Sequence, residues 1–199
     1  MTPTVRALSL SLLCAGAAVY LSAWAQGAAA PPHYVLDQAK STLEFTFSQA
    51  GAQNKGKFTR FPVSFEPPAD GAGGHLEVTI EVGSLDTGDK ERDDTLRSDE
   101  LFAVAKFPQA HFSAGQFTKT AQGFEALGKL TVRGVTREAR VPFSFRTAQE
   151  GGATVGYMNG KTGIRRLDYG VGQGDWKATD QVGDEVGVSF ALRLTAAAH

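Results

Sequence analysis

Residues 124–143 read F-E-A-L-G-K-L-T-V-R-G-V-T-R-E-A-R-V-P-F, and this stretch decides the fold class. Val132 and Val135 flank Arg133-Gly134, a two-residue loop of the kind that joins antiparallel strands. Such a loop fixes the register of both arms. One face then pairs Phe124 with Phe143, Ala126 with Val141, Gly128 with Ala139, Leu130 with Arg137 and Val132 with Val135. The other face pairs Lys129 with Glu138 and Thr131 with Thr136, both favoured cross-strand neighbours. The hairpin thus has one apolar and one wet face, and Arg137 breaks the apolar row close to the turn, where its stem can lie on apolar surface.

The same period of two runs outward in both directions. Leu43, Phe45 and Phe47 alternate with polar residues, and so do Leu76, Val78, Ile80 and Val82. Residues 57–65 carry Phe58, Phe61, Val63 and Phe65, with a parity break near Phe61-Pro62 that predicts a bend. A turn cluster at 67–74 centres on Asp70-Gly71. Strands are expected over 110–117, 124–132 and 154–165, the last rich in glycine. Val186, Val188, Phe190, Leu192 and Leu194 mark a final strand. With no long amphipathic helix, this spacing predicts an all-β, single antiparallel sandwich or barrel. A barrel of about eight strands can enclose one small ligand.

One stretch departs from the pattern. Asp89 to Arg97 has seven charged residues in nine positions, with Leu96 its one large apolar side chain. A short helical excursion near residues 87–104, lying on the β-structure, is expected. Asp93 and Arg97 are spaced to pair along it, and Ser98 is expected to cap a following turn that opens with Asp99 and Glu100. Leu101, Phe102 and Phe107 anchor the segment, and Pro108 stops it.

Residues 1–25 read as a secretory signal peptide: Arg6, an apolar run from Ala7 to Leu21, then Ala23-Trp24-Ala25. The run is short for a membrane span of about 20 apolar residues. Residues 26–32 form a lead-in, leaving a single domain at 33–196. Cleavage would remove Cys14, the one cysteine of the chain, and with it disulfide and thiol chemistry. A formal charge of −1 argues against nucleic acid, which demands a basic face.

The residues that carry chemistry point away from catalysis. His33, His75, His111 and His199 lack partners at metal-ligand spacing. No G-x-S-x-G elbow occurs. Gly170-Val171-Gly172-Gln173-Gly174 leads to a strand and lacks the dinucleotide spacing. Asp89, Glu91, Asp93 and Asp94 stand beside Lys90 and Arg92, as in a solvated ion-pair face, with acid/base chemistry the lesser alternative. The thirteen phenylalanines fit either a filled core or the wall of an apolar tunnel.

Several motifs in order resemble one family. Asp86 to Phe112, with Asp89, Arg92, Asp93, Leu96, Ser98, Phe102, Val104, Phe107 and Pro108, resembles the signature of the YceI-like lipid/polyisoprenoid-binding family; Leu101 replaces an aromatic. Tyr34-Val35-Leu36-Asp37 and Ser41 to Phe47 resemble its opening, with Lys40 where histidine is usual. Gly56-Lys57-Phe58, Leu130 to Arg137, Arg166-Leu167-Asp168-Tyr169-Gly170 and Val182 to Val186 resemble further motifs. The resemblance implies a lipocalin-like antiparallel barrel, exported to the periplasm, that is a binder and no enzyme. The implied ligand is a long amphipathic chain: a polyisoprenoid, an isoprenoid quinone or a fatty amide. No cofactor or metal is implied. Ser48 to Ala52 and Gly170 to Trp176 resemble the branch found beside membrane di-haem b-type cytochromes, which makes such a cytochrome a candidate partner; a dimer stays open. The expected ligand wall is Phe45, Phe47, Leu76, Val78, Ile80, Phe112, Phe124, Ala126, Val141, Phe143, Phe190 and Leu192. Arg92, Arg137 and Trp176 are candidate mouth or head-group residues, with salt bridging or packing as the alternative for each.

Overall fold

The structure, a computed structural model, describes residues 32–69 and 73–197. The signal peptide, most of the lead-in, and Asp70-Gly71 at the turn centre lie outside them. The described chain is an antiparallel barrel closed by eight strands, with one short α-helix. In order, the strands are β1 (Tyr34–Leu36), β2 (Thr42–Gln49), β3 (Ala52–Phe58), β4 (Val63–Glu66), β5 (His75–Glu81) and β6 (Leu85–Asp86). Helix α1 (Lys90–Arg97) follows, then β7 (Gln109–Thr120), β8 (Gly123–Val132), β9 (Val135–Glu150), β10 (Ala153–Arg165) and β11 (Val182–Ala196).

The circuit β1-β4-β5-β7-β8-β9-β10-β11 closes where β1 pairs with β11. Strands β2, β3 and β6 continue β1, β4 and β5 toward the other end of the barrel. On β11, β1 takes Leu194 to Ala196 and β2 takes Val182 to Ala191. The bend expected at Phe61-Pro62 is the break between β3 and β4.

The hairpin has the expected register throughout, from Phe124 opposite Phe143 to Val132 opposite Val135. The hydroxyls of Thr131 and Thr136 lie 2.8 Å apart on the outer face. At the tip, Gly134 has φ +74°, and a Cβ there would lie 2.7 Å from the Phe107 ring. The tip therefore needs glycine both for its left-handed backbone and for the ring that packs on it.

Two irregularities shape the interior. A bulge between Ala114 and Gln116 resets the parity of β7, so Phe112, Ala114 and Phe117 are all buried. And β9 pairs with β10 only from Glu150 opposite Ala153 to Phe143 opposite Gly160. Counting from the hairpin loop, Glu125 opposite Pro142 is a non-hydrogen-bonded pair. The Pro142 nitrogen therefore faces β10 and has no N–H to donate. From there β9 and β10 run on as a seam without ladder bonds; the Thr162 hydroxyl donates across it to the Arg140 carbonyl at 3.1 Å.

Helix α1 differs from the expectation in its caps. Asp89 is the N-cap, its carboxylate accepting from the Arg92 N–H at 3.1 Å. Ser98 is the C-cap and closes the helix rather than opening a second one. Nor do Asp93 and Arg97 pair with each other. Asp93 is buried and accepts from the backbone N–H and hydroxyl of Thr87 at 2.9 and 2.7 Å. Arg97 donates to the carbonyls of Gly83 and Leu85 at 3.2 and 2.7 Å and reaches Asp94 at 3.3 Å. Bonds to the sheet edge outweigh an intrahelical pair worth a few tenths of a kcal/mol. They hold α1 over the place where β6, which pairs only with β3, leaves β7 unpartnered.

Candidate functional site

The barrel is filled at one end and hollow at the other. At the filled end Tyr34, Phe65, Phe117, Phe124, Phe143 and Phe145 meet edge to face or stacked, with Phe65 at the centre. Above them lies an inner cavity of about 160 Å³ whose lining is wholly apolar apart from Thr162. It continues into a mouth pocket of about 380 Å³; Phe45, Phe102, Val132, Ile164 and Val186 line both. This apolar passage is the candidate site.

The passage exists because neighbours decline to fill it. Phe45 lies over Gly56, where a Cβ would come within 2.4 Å of the ring. The ring therefore packs against the wall and leaves the axis free. The mouth is framed by Phe47 and Gln49 of β2, by Arg92, Thr95 and Leu96 of α1, and by Leu101 and Phe102 just beyond it. Val132 of the hairpin tip and the segment between β10 and β11 complete the rim, the latter through Arg166, Tyr169, Val171 and Trp176.

Arg166 organises that last segment. It is 4% exposed, and all five of its N–H groups point at backbone carbonyls. Nε donates to Gly183 at 2.9 Å; Nη1 donates to Val171 and Trp176 at 2.9 and 2.7 Å; Nη2 donates to Ala178 and Val182 at 3.2 and 2.7 Å. Burial pulls its pKa below the usual guanidinium value, yet arginine keeps its charge at any ordinary pH. A Cβ on Gly172, at φ +109°, would lie 2.0 Å from Nη1, so the loop closes on the guanidinium only with glycine there. The Glu100 carbonyl accepts from the N–H groups of Gly172 and Gln173 at 3.1 and 2.7 Å. Arg133 reaches from the hairpin tip to the Asp99 carbonyl at 2.8 Å. These bonds join the three segments of the rim into one frame.

The structure divides the expected site residues into three groups. Phe45, Leu76, Val78, Ile80, Phe112, Val141, Phe190 and Leu192 line the inner cavity, and Phe45 and Phe47 line the mouth. Phe124, Ala126 and Phe143 border neither space; they sit with the packed end, where Ala126 is fully buried. Among the charged and aromatic candidates, Arg92 and Trp176 stand at the mouth. Arg137 lies instead on the outer groove along the β9–β10 seam, where its Nε donates to the Asp168 carbonyl at 3.2 Å.

Sequence patterning singled out neither Arg166 nor Tyr169, Val171 and Ile164. Only the resemblance to the R-x-D-F-G motif touched the first two. The four acids have structural partners or solvent: Asp89 caps α1, Asp93 holds Thr87, Asp94 pairs with Lys90 and Arg97, and Glu91 stands in the helix's first turn. Among the described residues, no group of three or more His, Cys, Asp or Glu is placed to hold a metal ion.

A closed antiparallel barrel with a blind apolar passage, rimmed by a helix and a glycine-rich loop, defines a class of small-molecule binding domains. Residues 34–194 match the model of the YceI-like domain, and the chain belongs to that family. Among solved structures, Burkholderia cenocepacia BcnA is 31% identical with a TM-score of 0.72, over 79% of this chain and 98% of that one. A polyisoprenoid binding domain from Saccharophagus degradans, 18% identical, has the same fold with a TM-score of 0.60, over 82% of this chain and 98% of that one. A UPF0312 protein of Yersinia enterocolitica is 36% identical over 119 residues, 56% of this chain and 60% of that protein. The chain thus aligns with about three fifths of that curated relative's length.

Proposed function

We propose that this protein is exported to the periplasm through a leader cleaved after Ala25 and there binds a long-chain amphipathic lipid, a polyisoprenoid or an isoprenoid quinone, without acting on it chemically. One observation carries the reading: the inner cavity runs without interruption from an apolar blind end to the mouth pocket. A polar metabolite would lose its hydration there without replacement, whereas each buried CH₂ of a tail gains about 0.8 kcal/mol before ordering costs. The inner cavity, at about 160 Å³, takes only part of a long chain. The remainder and the head group then fall in the mouth, whose volume of about 380 Å³ is that of an ordinary ligand site. The match to a domain described as polyisoprenoid binding supports the same class of ligand.

Native mass spectrometry of protein recovered from its own source, followed by organic extraction, tests this. The expected result is a mass starting at Gln26 with a lipid of defined chain length attached. Protein that is repeatedly empty, and that takes up no isoprenoid when offered it, would sink the proposal.

A further inference from the structure

Tyr169 stands where the spaces of the open end meet. It lines the mouth pocket and also the outer groove along the β9–β10 seam. Ile164 and Val186 share both positions with it and continue into the inner cavity. The residue is 4% exposed, yet its hydroxyl makes no hydrogen bond to any described residue; the phenols of this chain that find a partner do so as Tyr157 does with Glu150. Nor is the hydroxyl sealed in. The polar side-chain atom that is both sealed and partnerless among the described residues is Arg133 Nε. A hydroxyl that is deeply buried, unpaired and still reachable costs stability in the empty protein. Phenylalanine would fill the same space without that cost.

The other polar groups of the open end are engaged or set apart. Arg166 has spent all five N–H groups on carbonyls. Arg137 is turned to the outer groove and to Asp168. Arg92 lies on the helix, with Asp89 3.8 Å away. Burial and the nearby Asp168 carboxylate push the Tyr169 phenol above its ordinary value of 10, so it keeps its proton at neutral pH. What remains is one neutral donor among apolar walls. A phosphate would arrive there with its charge unpaired, while a carbonyl needs one donor and brings no charge.

The geometry points to the Tyr169 hydroxyl as the hydrogen-bond donor that recognises a neutral carbonyl on the lipid's head group, the ring ketone of a quinone or the carbonyl of an amide. This rests on the lipid-binding reading and adds to it a head-group chemistry and a residue.

Three probes with the same ten-carbon chain separate the possibilities: decylbenzoquinone, decanamide and decylbenzene, each titrated into the delipidated full-length mature protein and its Tyr169→Phe variant. The wild type is expected to bind one of the carbonyl probes more tightly than decylbenzene, and the one it favours names the source of the carbonyl. Tyr169→Phe is expected to weaken that probe by about 2- to 13-fold, the worth of one hydrogen bond. Decylbenzene should change less than twofold. The variant's melting temperature should stay level or rise; a fall would reveal a protein partner for the hydroxyl and overturn the inference. Equal weakening of all three probes would make Tyr169 a packing residue, and no weakening would make it a bystander; either result overturns the inference while lipid binding stands. Wild-type protein that binds none of the three would bring down both readings together.

Discussion

The two ends of the barrel use the same residue types to opposite effect. At the closed end, Phe65 is fully buried, with the rings of Phe117, Phe143 and Phe145 at centroid distances of 6.3, 5.9 and 5.0 Å, mostly edge on. At the open end, Phe45 and Phe47 stack on each other at 6.0 Å along the wall, and Phe45 lies flat over Gly56. Phenylalanines in the first arrangement interlock across the axis; in the second they face a void. The closed end therefore carries packing stability, and the open end gives some of it up for a ligand. The rim compensates with polar bonds, those of Arg166 above all, which fix a loop that has little core of its own.

The comparison breaks most sharply at Phe65. Phe65→Ala should cost about 3–5 kcal/mol in equilibrium unfolding, because three rings lose their common partner and cannot collapse onto it. Lipid retention by whatever fraction remains folded should be normal. If stability falls by less than about 1 kcal/mol, the closed end is not where the barrel is held together.

Arg166→Leu tests the other end. It leaves five carbonyls without their donor, and the cost should be about 1–3 kcal/mol, since some of them can turn to water. Its signature is local: hydrogen exchange should quicken over residues 166–183 and stay slow in β4, β8 and the hairpin arms. Exchange that quickens evenly through the barrel would mean that the loop and the closed end unfold as one unit.

A pair of tryptophans sharpens the boundary between the two ends. Ala126 is fully buried and borders neither cavity, so Ala126→Trp should overpack the closed end at about 1–3 kcal/mol. Ile164 lines both the mouth and the inner cavity, so Ile164→Trp should cost less than about 1 kcal/mol, because the indole has empty space to enter. The second variant should lose uptake of a fluorescent isoprenoid analogue, and the first, measured on folded protein, should keep it. Reversed outcomes would place the tunnel wall on the Phe124–Ala126 row.

That row also shows where sequence patterning reaches its limit. The hairpin register was legible because a two-residue loop fixes it locally, and every pair from Phe124–Phe143 to Val132–Val135 stands as the loop requires. Whether an inward residue meets packed rings or open space was not. Phe124 and Phe45 sit in identical period-two patterns, and what separates them is the set of strands on the far side of the barrel. The bulge beside Gly115, which turns Phe117 inward, adds to that difference. The helix was legible from its charge and its break with strand period. Its caps were not, because Asp89 and Ser98 are both cap-competent and bonds from Asp93 and Arg97 to the sheet edge decide between them. Arg166 left no pattern at all, since its five acceptors are backbone carbonyls that any sequence supplies.

The smallest effect lies at the junction of the rim loop and β11. Asp184 accepts from Arg165 Nε at 2.8 Å and from the Leu167 N–H at 3.0 Å. Burial pushes its carboxyl up, but those two bonds outweigh burial and hold it below the ordinary 3.8. A carboxylate so lowered adds stability that is present in full above the unfolded value. That stability fades as the pH falls through the lower folded value. Arg165 is mostly exposed, so the contribution should be at most about 1 kcal/mol. Asp184→Asn should lose that amount at pH 7, with the gap from wild type narrowing below pH 3.8. Glu150 at the closed end is likewise lowered, by Tyr157 and Arg193, so acid weakens both ends and the raw stability of either protein is uninformative. The difference between wild type and variant, measured by denaturant titration at each pH, isolates the rim. A gap that stays constant down to strong acid would assign the effect to the Leu167 hydrogen bond, which the asparagine side chain could still accept, and not to charge.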